Sequence, residues 1–121
     1  MKDCTSQIHK DLVQINEHAK VANLSDGLSI LVYSNDHEPP HFHLGYSGGA
    51  SIRIAIPDKP FDTIDQVKQA VLDSDKDKIP AYSKYFKQLI KTLNSLSKSK
   101  TAKNLTVLDV IWLFWDTYRE S

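Results

Sequence analysis

The sequence predicts a single α+β domain: a three-stranded antiparallel β-meander preceded by one helix and followed by two or three helices. Three observations carry that expectation. The 121 residues match the length of one domain, so the whole chain, 1–121, is read as a single unit. Short runs rich in β-branched residues and bounded by turn residues crowd into residues 28–56. Apolar residues at helical spacing lie on both sides of that core, most of them over about 62–119.

The opening helix is read over residues 5–22, where Ile8, Leu12, Ile15, Ala19 and Ala22 recur at spacings of 4, 3, 4 and 3. Strands follow at 28–34, 41–46 and 50–56, the last stopped by Pro57. Alternation assigns Leu28, Ile30, Val32, Phe42, Leu44, Tyr46, Ile52, Ile54 and Ile56 to one buried face. A three-residue loop, Ser47-Gly48-Gly49, keeps that parity by pairing Leu44 with Ile52 and His43 with Arg53; a two-residue turn would mix the faces. A helix over about 62–74 starts at Asp62 or Thr63, with Gln66 as capping-box partner of Thr63. Another runs from Pro80 to Leu96, and a Ser/Lys-rich loop leads to a last helix over 105–119 that is apolar over most of its circumference.

Composition narrows the function classes. Hydrophobic residues make up 40% and charged residues 25%, the balance of an ordinary soluble domain. The lone Cys4 excludes an intrachain disulfide and fits a reducing compartment. With no long apolar run and no leader-like start, the expected location is the cytoplasm, away from any membrane. Net charge is zero, so the total points to neither a nucleic acid nor an acidic surface. Locally the charge is uneven: residues 79–108 hold Lys84, Lys87, Lys91, Lys98, Lys100 and Lys103 and no acid, a pattern that a solvated helix face explains without a ligand.

The chemistry concentrates in Asn35-Asp36-His37-Glu38-Pro39-Pro40-His41-Phe42-His43, which holds three of the five histidines. The two prolines stiffen the loop. His41 and His43, two apart on a strand, share the face opposite the core. Parity places Tyr33, His43 and Arg53 in one row there, with His41 and the Asp36-His37 turn at its end. Imidazole moves protons near neutral pH and a guanidinium holds phosphate in two bonds. The row therefore reads as an acid–base site with His41, His43 and His37 as proton carriers and Arg53, Tyr33 and Asp36 as substrate-binding groups, needing no cofactor. Two alternatives stay open. His41 and His43 with Asp36 or His37 are a three-ligand set for a transition metal such as zinc. The residues are otherwise structural, with Asp36 capping the turn, His37 and His41 exposed and His43 bonded on the sheet.

Asp36-His37-Glu38-Pro39-Pro40-His41-Phe42-His43 resembles the DHxPPHFH signature of a small bacterial family called Domain of Unknown Function 4160, with all seven fixed positions present. The likeness covers about residues 28–56, with a weaker likeness at the helix carrying Trp112 and Trp115; the opening helix and the Lys-rich helix depart from the usual pattern. The resemblance implies a short cytoplasmic bacterial protein, often encoded beside another small gene in toxin–antitoxin-like neighbourhoods, and supplies no mechanism. The order helix, three strands, helix is also that of the double-stranded-RNA-binding fold, an analogy that adds RNA as substrate. The rival reading is a non-catalytic module that binds protein. Trp112, Phe114, Trp115 and Tyr118 on several sides of the last helix lead to the expectation of a homodimer or a small cognate partner.

Overall fold

The computed structural model describes residues 18–33, 38–46, 49–97 and 104–119. Four strands, β1 (His18–Asn23), β2 (Ser29–Tyr33), β3 (His41–Gly45) and β4 (Ser51–Ala55), form one antiparallel sheet in the order β1-β2-β3-β4. The meander of β2 to β4 is as expected. The pairs Leu44 with Ile52 and His43 with Arg53 are those that the three-residue loop requires.

The first strand corrects the expected opening helix where the two overlap. Residues 18–22 are extended, and the part of the expected helix before them lies outside the described residues. The register explains the misreading. Ala19 faces Val32 and Ala22 faces Ile30, with an irregularity between Lys20 and Ala22 that inserts one extra residue. Two core-facing positions of a bulged strand are thus three apart, the same spacing that marks a helix. The first described element is therefore a strand, and the analogy to the double-stranded-RNA-binding order fails over these residues.

Ile30, Val32, Phe42, Leu44, Ile52 and Ile54 are all fully buried on one face. Helices cover it. Helix α1 (Ile64–Ala70) starts at Thr63, whose hydroxyl accepts from the Gln66 amide at 3.2 Å while the Thr63 amide donates to Gln66 Oε1 at 3.1 Å. Replacing Thr63 by alanine removes one half of this reciprocal cap, and thermal unfolding should show a loss of about 1 kcal/mol. The helix stops at Ala70, short of the expected 74, because the chain there turns to the free edge of β4. Val71 bridges Ile54, and the Leu72 amide donates to the Arg53 carbonyl at 3.0 Å.

The expected helix from Pro80 to Leu96 is segmented. A 3₁₀ stretch (Asp73–Lys78) leads into a single α turn, α2 (Ile79–Tyr82), a second 3₁₀ turn (Ser83–Tyr85) and α3 (Phe86–Leu93). Leu96 instead bridges Thr106, and amides of Ser97 and Val107 donate to the carbonyls of Leu105 and Ser95, so both ends of the Lys-rich loop are pinned. Helix α4 (Val107–Arg119) then begins two residues later than expected, at a cap formed by Thr106 and Asp109: the Asp109 amide donates to Thr106 Oγ1 at 3.2 Å and the Thr106 amide to Asp109 Oδ2 at 2.8 Å.

Close approach also dictates one residue of the β3–β4 hairpin. A Cβ on Gly45 would stand 2.6 Å from the Ala50 carbonyl oxygen and 2.8 Å from Ser51 Cα, so only glycine fits where the two strands end.

Candidate histidine site

The face of the sheet turned away from the core cluster carries Leu31, His43 and Arg53 in register, with Lys20 opposite Leu31 on the outer strand. His43 thus faces Leu31 directly and meets Tyr33 diagonally, one step from the side-by-side placement expected. The Tyr33 and His43 ring centroids are still only 4.4 Å apart. His41 lies 5.2 Å beyond His43, and the Trp115 ring of α4 lies 5.5 Å from His41. Four rings therefore make a continuous row of tilted contacts, Tyr33, His43, His41, Trp115, at the end of the sheet where β3 begins. The site is less open than the alternation implied. Leu31 is fully buried, and His41 is 4% exposed where the structural alternative had it in water. His43 is half-buried and is the accessible imidazole of the two.

Each ring is anchored through Nδ1. The Nδ1 of His41 stands 2.8 Å from the Pro39 carbonyl oxygen, which can only accept. His41 therefore donates from Nδ1, and when neutral it carries its lone pair on Nε2. The stiff Pro39-Pro40 segment supplies that carbonyl. The Nδ1 of His43 pairs with Ser51 Oγ at 3.2 Å, a hydroxyl able to act in either sense. Beside this end of the sheet an open cleft of about 540 Å³ is lined by Pro39, Ala55, Val71, Leu72, Asp73 and Ser74.

Arg53 is engaged by the fold. Its Nε donates to Asp75 Oδ2 at 3.0 Å and its Nη2 to Asp75 Oδ1 at 3.0 Å, while its own backbone amide donates to Oδ2 at 2.8 Å. Nη2 also donates to Ser74 Oγ. Lys78 stands 3.6 Å from the same carboxylate and donates to the Ser51 carbonyl at 2.9 Å. The hydrogen bonds from Arg53, opposed by burial, hold the Asp75 carboxyl down at about 2. A phosphate at Arg53 would have to compete with this carboxylate for the guanidinium fork.

Of the six residues singled out in the sequence, Tyr33, His41, His43 and Arg53 fall on this face together, and Asp36 and His37 lie outside the described residues. Asp75, Ser51 and Trp115 were missed. Asp75 gave no signal, since it sits in an acidic stretch that reads as solvated and meets Arg53 across 22 residues. Trp115 was legible: with Leu108 and Ile111 it forms a stripe at spacings of 3 and 4. That stripe is buried, Trp112 is half-buried with its indole N–H donating to the Pro57 carbonyl at 2.9 Å, and Phe114 packs partly against the core. Among the described side chains of α4, the large apolar group left exposed is Leu113, and the side chain of Tyr118, the fourth aromatic of the expected partner surface, lies outside the described residues.

Residues 27–71, from just before β2 through α1, match the family model Domain of unknown function (DUF4160). The match stops before α4, which leaves the weaker likeness around Trp112 and Trp115 outside it. No curated protein and no solved structure matches the chain. Among the described residues no helix is long and apolar enough to cross a membrane, and no group of three or more His, Cys, Asp or Glu could hold a metal ion.

Proposed function

We propose that the protein is the effector of a toxin–antitoxin-like pair and acts on RNA by metal-independent acid–base chemistry at the His41/His43 pair. The observation that carries the reading is the bond between His41 Nδ1 and the Pro39 carbonyl, which fixes one tautomer in a ring 5.2 Å from a second, accessible imidazole. A proton carrier needs that kind of preset nitrogen. In this reading His43 meets the substrate, takes the proton of a ribose 2′-hydroxyl as that oxygen attacks the adjacent phosphorus, and the histidine pair returns a proton to the departing 5′ oxygen. The products are a 2′,3′-cyclic phosphate and a 5′-hydroxyl end. His41 is the buried member, its ring packed beside that of His43. Arg53 is the expected phosphate holder, and a phosphate there competes with Asp75 for its guanidinium.

The same Nδ1-to-carbonyl arrangement orients metal-ligating imidazoles, so a site made by His41, His43 and Asp36 for an ion such as zinc is the second reading. One experiment separates them. Expression of the intact protein should arrest growth, and the purified protein should cleave RNA in excess EDTA. His43→Ala should lower that cleavage by at least a hundredfold at an unchanged melting temperature. Cleavage abolished by EDTA and restored by zinc would replace the first reading with the second. Undiminished cleavage by the His43 variant, or no arrest and no cleavage by the intact protein, would end the catalytic proposal.

A further inference from the structure

We infer that Lys84, Lys87 and Lys91, with Tyr46 at one end, form a binding track for single-stranded RNA on the side of the molecule away from the histidines. The three lysines are spaced by 3 and 4 residues, which aligns them in one stripe along the second 3₁₀ turn and α3. All three are exposed, while Phe86, Leu89 and Leu93 on the opposite side of the same helix are fully buried in the core. No acid occurs between residues 79 and 108, so no carboxylate lies three or four residues from Lys87 or Lys91 to neutralise the stripe. Among the described residues the ion pairs that form join Arg53 and Lys78 to Asp75 and leave these lysines aside.

The aromatic end is the second, independent observation. Lys84 Nζ stands 5.1 Å from the centre of the Tyr85 ring, and Tyr85 is the neighbour that pushes the Tyr46 hydroxyl above its ordinary range. Tyr46 is 45% exposed and lies beside Gly27, where an added Cβ would stand 3.5 Å from Tyr46 Cε1. An exposed ring fixed at the end of a row of cations is the arrangement that binds unpaired bases: the lysines follow phosphates and the ring stacks on a base. A duplex offers phosphates but hides the faces of its bases, and an acidic protein surface has no use for the ring. One acid opposes the track, Asp26, which acts on Tyr46 electrostatically. The inference takes its ligand from the proposed RNA function but is independent of the histidine chemistry.

Fluorescence anisotropy with a labelled oligouridylate tests it, alongside the same strand annealed to its complement and a polyglutamate peptide. The single strand should bind with log affinity falling against log salt at a slope of about −2, from three contacts at about 0.7 each. Joint replacement Lys84→Gln, Lys87→Gln and Lys91→Gln should bring the slope close to zero. Tyr46→Ala should weaken binding about tenfold or more with the slope unchanged, and Asp26→Asn should strengthen it. Loss of single-strand binding in the joint lysine variant, with cleavage by that variant retained at saturating substrate, is the expected pattern if both readings hold. Binding without any cleavage would sink the catalytic reading and leave the track standing. Equal affinity for the duplex, equal competition by polyglutamate, or no single-strand binding at high micromolar protein would overturn the track, even in a protein that cleaves.

Discussion

Replacing Asp75 by alanine is expected to lower the unfolding free energy by about 3 kcal/mol, a shift in melting temperature on the order of 10 °C. The carboxylate is 3% exposed and takes three hydrogen bonds from Arg53, two from the side chain and one from the backbone amide. Its removal takes this acceptor from the Arg53 amide and Nε, while Nη2 keeps Ser74 Oγ and Lys78 keeps the Ser51 carbonyl, and a buried donor that loses its acceptor is the costly outcome. Because Arg53 is itself 37% exposed, water recovers part of the loss, which keeps the expectation below the upper end for buried pairs. The same contact makes stability depend on pH. Asp75 titrates at about 2 in the folded protein against an ordinary 3.8, so the stabilisation is fully present above about pH 5 and is lost as pH falls through 2. After allowance for screening that contribution is about 1–2 kcal/mol. Urea melts at pH 6 and pH 3 measure it: the unaltered protein should lose stability between the two, and Asp75→Asn should lose correspondingly less. A variant as stable as the original at pH 6 would show that the ion pair is dispensable.

What could be read in advance divides along physical lines. Wherever one face of a strand is buried, the period of two is strictly enforced, and the register of β3 on β4 followed from Leu44 and Ile52 alone. The cap at Thr63 was legible because its signal is local, a hydroxyl and an amide three residues apart. The equivalent signal at Thr106 and Asp109 is just as local and was passed over in favour of the apolar run that begins at Leu105. β1 was hidden by its bulge, since an inserted residue turns strand spacing into helix spacing. For the site, alternation was enough to bring Tyr33, His43 and Arg53 to one face. It carried no information about what else would reach that face. The long-range partners, Asp75 from the 3₁₀ stretch and Trp115 from α4, decide that Arg53 is tied down and His41 is enclosed.

Trp115→Ala should be the more damaging substitution, costing about 3–5 kcal/mol. The indole is 2% exposed and belongs to the main core cluster, and its ring also lies 5.5 Å from His41, so one side chain joins the packing of α4 to the histidine row. Truncation removes both contacts and opens a cavity of indole size at the end of the sheet. Loss on this scale is a large share of the roughly 5–15 kcal/mol that holds a small domain folded, so the alanine variant should melt well below the unaltered protein. Trp115→Phe is the discriminating companion: it retains an aromatic ring, should cost less than half as much, and should fold. In proton–carbon NMR spectra of the folded phenylalanine variant, the ring resonances of His41 should move more than those of His43, because the indole ring current acts most strongly on its nearest neighbour. A variant that leaves the His41 signals in place while melting earlier would confine Trp115 to the core and break the proposed link between α4 and the histidines.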